Sequence, residues 1–132
     1  MPQRPSAVSL MLCDHVVFEQ GALKPYLLGV FNGVATDRFP TAPQRFDVFA
    51  ALTDGLGAVR MTLRVMHLET DQEIYAQQMN VTFPDPLRIV NMRLRVRRLV
   101  YDVSGNYLFA LTADDQEIAA SRVRVYQSGG AP

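Results

Sequence analysis

The chain is poor in several things, and each shortage narrows what it can be. It has one cysteine, Cys13, so no disulfide can form within it, and the cross-linked framework of small secreted domains is excluded. It has no tryptophan, and Lys24 is its only lysine, the remaining basic residues being arginine. Basic and acidic residues number 13 each, for a formal net charge of zero. That balance speaks against a protein held on nucleic acid by its overall field, and it leaves little repulsion between copies. No apolar run approaches the ~20 residues of a membrane helix. The run from Ala7 to Leu12 ends at Cys13-Asp14-His15, too soon for the core of a signal peptide. The expectation is a cytoplasmic protein that does not enter the membrane.

What is present is strand after strand. Met92-Arg93-Leu94-Arg95-Val96-Arg97-Arg98 alternates apolar and arginine side chains with a period of two, as does Val59-Arg60-Met61-Thr62-Leu63-Arg64-Val65. This is the pattern of strands with one face in a core and the other in water. Strands are also expected over 8–19, 26–35, 46–53, 73–83, 106–113 and 117–126, and the two arginine strands extend over 58–68 and 88–101. Turn signals separate them at Asp54-Gly55-Leu56-Gly57, Glu69-Thr70-Asp71-Gln72, Asp102-Val103-Ser104-Gly105 and Asp114-Asp115-Gln116. In the strand over 73–83 the phase slips, with Ile74 and Ala76 at even positions and Met79, Val81 and Phe83 at odd ones. A bulge near Gln77-Gln78 would return both halves to the core.

No segment carries a helical period. About eight short strands in 132 residues predict an all-β fold, an antiparallel β-sandwich, with a closed β-barrel as the alternative. One domain is expected over 8–127, after an extended or disordered arm at 1–7 and before a flexible tail at 128–132. Gly129-Gly130 in that tail matches the diglycine end of ubiquitin-like modifiers, but the helix such folds need has no support here.

Chemistry-bearing residues are few. Cys13 and His15 are two apart on one strand face, with Asp14 on the other, and His67 is the other histidine. One cysteine and two histidines fall short of a structural zinc set. Neither a nucleophile elbow nor a phosphate-cradling glycine loop occurs. No catalytic residue, metal or cofactor is expected, and the chain reads as a non-enzyme in which Cys13 is a buried thiol and His15 a hydrogen-bonded side chain.

The candidate binding residues are Arg60, Arg64, Arg93, Arg95, Arg97 and Arg98, with Arg88 flanking them. If the two arginine strands share a sheet, these side chains form one basic patch. Acidic neighbours are then needed to relieve like-charge repulsion, and Glu73, Asp71 and Glu117 are available. The patch suits an acidic protein partner or a phosphate-bearing ligand. No aromatics alternate with the arginines, which speaks against single-stranded nucleic acid.

The order Cys13-Asp14-His15-Val16-Val17, Leu28-Gly29-Val30-Phe31-Asn32-Gly33, Phe39-Pro40 and Gly105-Asn106-Tyr107-Leu108-Phe109 resembles a family of small uncharacterised bacterial proteins, a domain of unknown function, over residues 10–127. The resemblance implies a β-sandwich of bacterial or phage origin and carries no activity. The function expected is a binding or assembly module for a protein partner encoded nearby, including self-association as a homodimer.

Overall fold

The structure is a computed structural model and describes residues 2–20 and 24–128. Gly129-Gly130 and the two residues after them lie outside the described residues, whereas Ser128, at the start of the tail, donates its backbone N–H to the Thr36 carbonyl. The described residues form nine strands and no helix: β1 (Ser6–Phe18), β2 (Pro25–Phe31), β3 (Gly33–Thr36), β4 (Gln44–Thr53), β5 (Gly57–His67), β6 (Gln72–Phe83), β7 (Val90–Leu99), β8 (Gly105–Ala113) and β9 (Gln116–Gln127). A four-stranded sheet runs β2-β1-β4-β7, and a five-stranded sheet runs β3-β9-β8-β5-β6. All neighbours are antiparallel except β3 and β9, which are parallel.

The extra strand comes from the segment that reads as one strand over 26–35. It divides at Asn32, because its first half pairs with β1 in one sheet and its second half with β9 in the other. The chain thereby turns a corner and closes one side of the sandwich. The opposite side, between β6 and β7, stays open, so the two sheets do not become a barrel. The N-terminal arm is held as well: Gln3 forms a β-bridge with Leu56.

Period-two alternation does set the core. Phe46, Val48, Ala50 and Leu52 of β4 meet Val59, Met61, Leu63 and Val65 of β5, while Met92, Leu94 and Val96 of β7 also turn inward. The slip in β6 is real, but its bulge sits at Ile74 rather than Gln77-Gln78. The register with β5 shifts between Val65 and Met66, so Ile74 and Tyr75 both pack on the core.

Two details resemble those of immunoglobulin-type domains. Tyr107, near the start of β8, donates its hydroxyl hydrogen to the Val103 carbonyl at 2.6 Å. A tyrosine bonding back across the corner before its strand is a hallmark of immunoglobulin-type domains, and β4-β7 and β9-β8-β5-β6 reproduce their B-E and G-F-C-C′ orders. β1 is wedged between β2 and β4. Phe109 lies two residues after Tyr107, where antibody domains carry the second cysteine of their inter-sheet disulfide. Here its ring meets that of Phe46 in the facing sheet edge-on, with centroids 5.8 Å apart. An aromatic contact thus spans the sheets where a cross-link would otherwise be. The corner also fixes Gly105, whose φ is +140° and where a Cβ would strike His67 and Glu69.

Candidate functional site

Cys13 and His15 do not share a face. Cys13 and Val16 pack together with Phe49 on the outer side of the four-stranded sheet, so the phase of β1 changes between them. The cause lies at Asp14, which faces Gly29 across the β1–β2 pair. Gly29 has φ +69°, and a Cβ there would collide with the Asp14 carboxylate. The irregularity leaves Cys13 fully buried and His15 exposed. Burial, then the nearby Asp47 and Asp14 carboxylates, push the Cys13 thiol above its ordinary value. That is the opposite of an activated nucleophile. His67 sits in the other sheet, with Nε2 on the Ser104 carbonyl at 3.1 Å and Nδ1 on the Thr70 hydroxyl at 2.9 Å. Among the described residues, no three His, Cys, Asp or Glu side chains gather as metal ligands.

The two arginine strands also part company. β5 lies in the five-stranded sheet and β7 in the four-stranded one, so the single basic patch does not form. Arg60 and Arg64 project from the outer face of the five-stranded sheet, and both are paired. Arg64 meets Glu73 at 3.0 Å, one of the acids expected. Arg60 meets Asp115 at 2.8 Å, supplied by the β8–β9 hairpin rather than by Asp71 or Glu117. Asp114 and Asp115 turn that hairpin with positive φ at both residues, which carries the Asp115 carboxylate back to β5. This half of the patch is a neutralised, solvated face.

Arg93, Arg95 and Arg97 do share a face, the outer one of the four-stranded sheet, with Arg98 beside them. Arg93 crosses β4, where Phe49 is the residue directly opposite, and donates to the Val16 carbonyl at 3.3 Å. Its guanidinium lies 5.6 Å from the centre of the Phe18 ring. Arg95 faces Asp47, with Nε 4.0 Å from the carboxylate. Asp47 is buried and accepts the Val16 N–H at 2.8 Å, standing in for the backbone partner that β1 loses at its irregularity. Arg97 and Arg98 make no ion pair among the described residues.

Sequence reasoning missed what the arginines surround. Cys13, Val16 and Phe49, flanked by Leu27 and Ala51, form an apolar patch on a face with no second layer over it. Around it Phe18, Met11 and Val30 are 41%, 44% and 58% exposed. Arg45 completes the rim. It lines an open groove of about 340 Å³ with Arg95, Arg97, Asp47, Asp14 and His15. A signal for this was present in β4, where Phe46 to Leu52 is apolar at both parities except Asp47, the mark of a strand covered on both sides.

Fold and surface together define a small all-β sandwich with arginines around an apolar outer face. The chain belongs to DUF6941, a family of unknown function, whose model matches residues 8–126. No curated protein matches it.

Proposed function

We propose that this protein is a non-catalytic binding and assembly module that docks an acidic, partly apolar polypeptide on the outer face of its four-stranded sheet. The observation that carries the reading is the rim itself. Exposed apolar side chains from β1 and β2 share this face with Arg93, which lies over Phe18, and with Arg95 and Arg97, while Arg45 lines the groove with Arg95 and Arg97; across the described residues only Arg95 of Arg45, Arg95 and Arg97 has a carboxylate within 4.0 Å. An apolar centre with a charged rim is the anatomy of a protein interface, and arginine is the basic residue enriched there. The separation of Arg60 and Arg64 onto the opposite face, where each is paired, favours a protein partner over nucleic acid, which would need a continuous basic track. The single cysteine, buried and unable to form an internal disulfide, supports a cytoplasmic setting.

The test is a titration followed by amide chemical shifts. The probes are a peptide alternating Glu with Phe and a peptide of the same length alternating Lys with Phe. The acidic peptide should move the amides of Phe18, Phe49 and Arg95, and the effect should weaken with salt and in Arg95→Ser/Arg97→Ser. Equal responses to both peptides, or none, would end the proposal.

Self-association is a second reading, favoured by β2. This edge strand, Pro25-Tyr26-Leu27-Leu28-Gly29-Val30-Phe31, carries no charge, and Tyr26, Leu28 and Val30 are exposed. Such an edge is open to pairing with a second copy. Sedimentation of wild type against Leu28→Lys decides it: a wild-type dimer that the lysine dissociates supports the reading, and a monomeric wild type at high concentration removes it.

A further inference from the structure

An unbalanced cluster of charge sits at one bulge. Gln44 of β4 faces Leu99 of β7, and Phe46 faces Val96, with a shift in register between them. Arg45 alone therefore stands opposite two residues, Arg97 and Arg98. A bulge of this kind re-aims the side chains around it. Here it sets three exposed arginines at one end of the β4–β7 pair. Like charges placed opposite each other destabilise a sheet, so acids are expected among them. Among the described residues, none of the three has a carboxylate within 4.0 Å.

Edge protection accounts for arginines on β7, which is an edge strand. It does not account for Arg45, because β4 is an interior strand. Arg45 and Arg97 line the same open groove, together with Arg95.

The two acids of that groove are directed elsewhere. Asp47 is buried, takes the Val16 N–H on one carboxylate oxygen and stands 4.0 Å from the Arg95 Nε with the other. Asp14 directs its carboxylate at Gly29 of β2, on the side of β1 away from β4 and β7. What remains is Arg45 and Arg97, two guanidinium groups without a counter-charge in the described residues, with the exposed His15 also in the lining.

We propose that this groove is a subsite for a phosphorylated side chain carried by the acidic polypeptide that docks on the same sheet face. The proposal rests on the docking reading above and names the group that reading leaves open. A phosphomonoester brings about −1.5 to −2 charges at pH 7 and three acceptor oxygens on one atom. A single carboxylate brings one charge and two oxygens. Two uncompensated guanidinium groups in one groove match the former, since each presents a fork of N–H donors to neighbouring oxygens.

Four probes are titrated into the full chain and followed by amide chemical shifts. They are the alternating Glu/Phe peptide, the same peptide with its central Glu replaced by phosphoserine, a third with one Glu added so that its net charge equals that of the second, and inorganic phosphate. The phosphoserine peptide should bind about ten-fold more tightly than either carboxylate peptide and should move the amides of Arg45 and Arg97. Arg45→Ala and Arg97→Ala should each bring it level with the charge-matched peptide. Arg60→Ser, on the other sheet, should leave the ratio unchanged. Circular dichroism confirms the fold of each variant. If Arg45→Ala does not fold, Arg97→Ala and the comparison of peptides on wild type still decide. A charge-matched peptide that binds as tightly as the phosphoserine peptide would overturn the proposal and leave the docking face intact. Inorganic phosphate binding as tightly would overturn it too, by making free phosphate the occupant. The docking reading fails separately: if Glu/Phe and Lys/Phe peptides act alike while a phosphoserine flanked only by Gly and Ser still moves Arg45 and Arg97, the phosphoryl subsite stands without the apolar face.

Discussion

Arg93 and Arg97 look interchangeable in the alternation of β7, yet the structure assigns them unlike stabilities, and alanine replacement at each separates the two. Arg93 donates to the Val16 carbonyl at 3.3 Å and lies 5.6 Å from the centre of the Phe18 ring. A hydrogen bond from a charged donor contributes about 1.5 kcal/mol at the lower end of its range, which suits this long and partly exposed geometry. A cation–π contact at an accessible site adds about 0.5 kcal/mol. The arginine stem also crosses the sheet over β4 and shields the Phe49 patch. Arg93→Ala should therefore lower unfolding stability by about 2 kcal/mol, and the melting temperature by several degrees. Arg97 makes no ion pair in the described residues, and Arg97→Ala should stay within about 0.5 kcal/mol. Urea denaturation of the two variants measures the difference. A double-mutant cycle of Arg93→Ala with Phe18→Ala isolates the ring contact. Equal losses for Arg93→Ala and Arg97→Ala would refute the bridging role of Arg93 and return all three arginines to a simple solvated face.

Three further outcomes follow from the same geometry. Asp47→Ala leaves the Val16 N–H, now bonded at 2.8 Å, without its partner in a buried setting, and should cost about 1–3 kcal/mol by urea melt, with Asp47→Asn milder because its amide oxygen still accepts. Cys13 should resist a thiol reagent such as Ellman's in the native protein and react at the rate of unfolding, since it is fully buried and its thiol is held above the ordinary value; prompt native labelling would contradict this. The Asn106 backbone N–H at 3.2 Å holds the Glu69 carboxyl below its ordinary 4.5. Its folded value being depressed, the contribution is present above 4.5 and lost as pH falls through the lowered value. Glu69→Gln should show a shallower loss of stability on acidification, and an unchanged acid limb would count against the bond.

The strands were legible because period-two burial is a strong constraint: one residue of slip turns every side chain to the wrong face. Val59 to Val65 and Met92 to Val96 could be placed by alternation alone. Asn32 could not, because both halves of its segment remain extended and only the identity of the pairing partner changes. The face of Cys13 and His15 was misread for a related reason. Position i and i+2 share a face only in an unbroken strand, and the Asp14–Gly29 irregularity interrupts β1 between them. The acidic partner of Arg64 was predictable from an adjacent strand, whereas that of Arg60 depended on a turn with two left-handed aspartates. The arginine face was visible as charge. Its apolar centre was not, since it assembles from β1, β2 and β4, three strands whose order in the sheet differs from their order in the chain.

That order also relates the two surfaces in the proposed function. The molecule has four strand edges, and three are guarded in recognisable ways. β7 carries arginines, β3 is four residues long, and β6 exposes Glu73, Gln78 and Asn80. β2 has none of these devices, and its proline stands at the first residue, where it interrupts little of the ladder. β2 is also the strand next to the exposed part of β1, so the bare edge and the apolar face meet along one border. A chain adding itself to β2 would extend the four-stranded sheet, and every second side chain of that added strand would fall on the outer face beside Val30 and Leu27. Edge pairing and face docking are then two halves of one geometry, with main-chain hydrogen bonds supplying affinity and alternate side chains supplying selectivity. A partner of this kind would present apolar residues close to β2 and carboxylates further out, toward Arg45, Arg95 and Arg97. Swapping that order in the test peptide, with its acids placed against β2, should therefore abolish binding even though composition and net charge are unchanged.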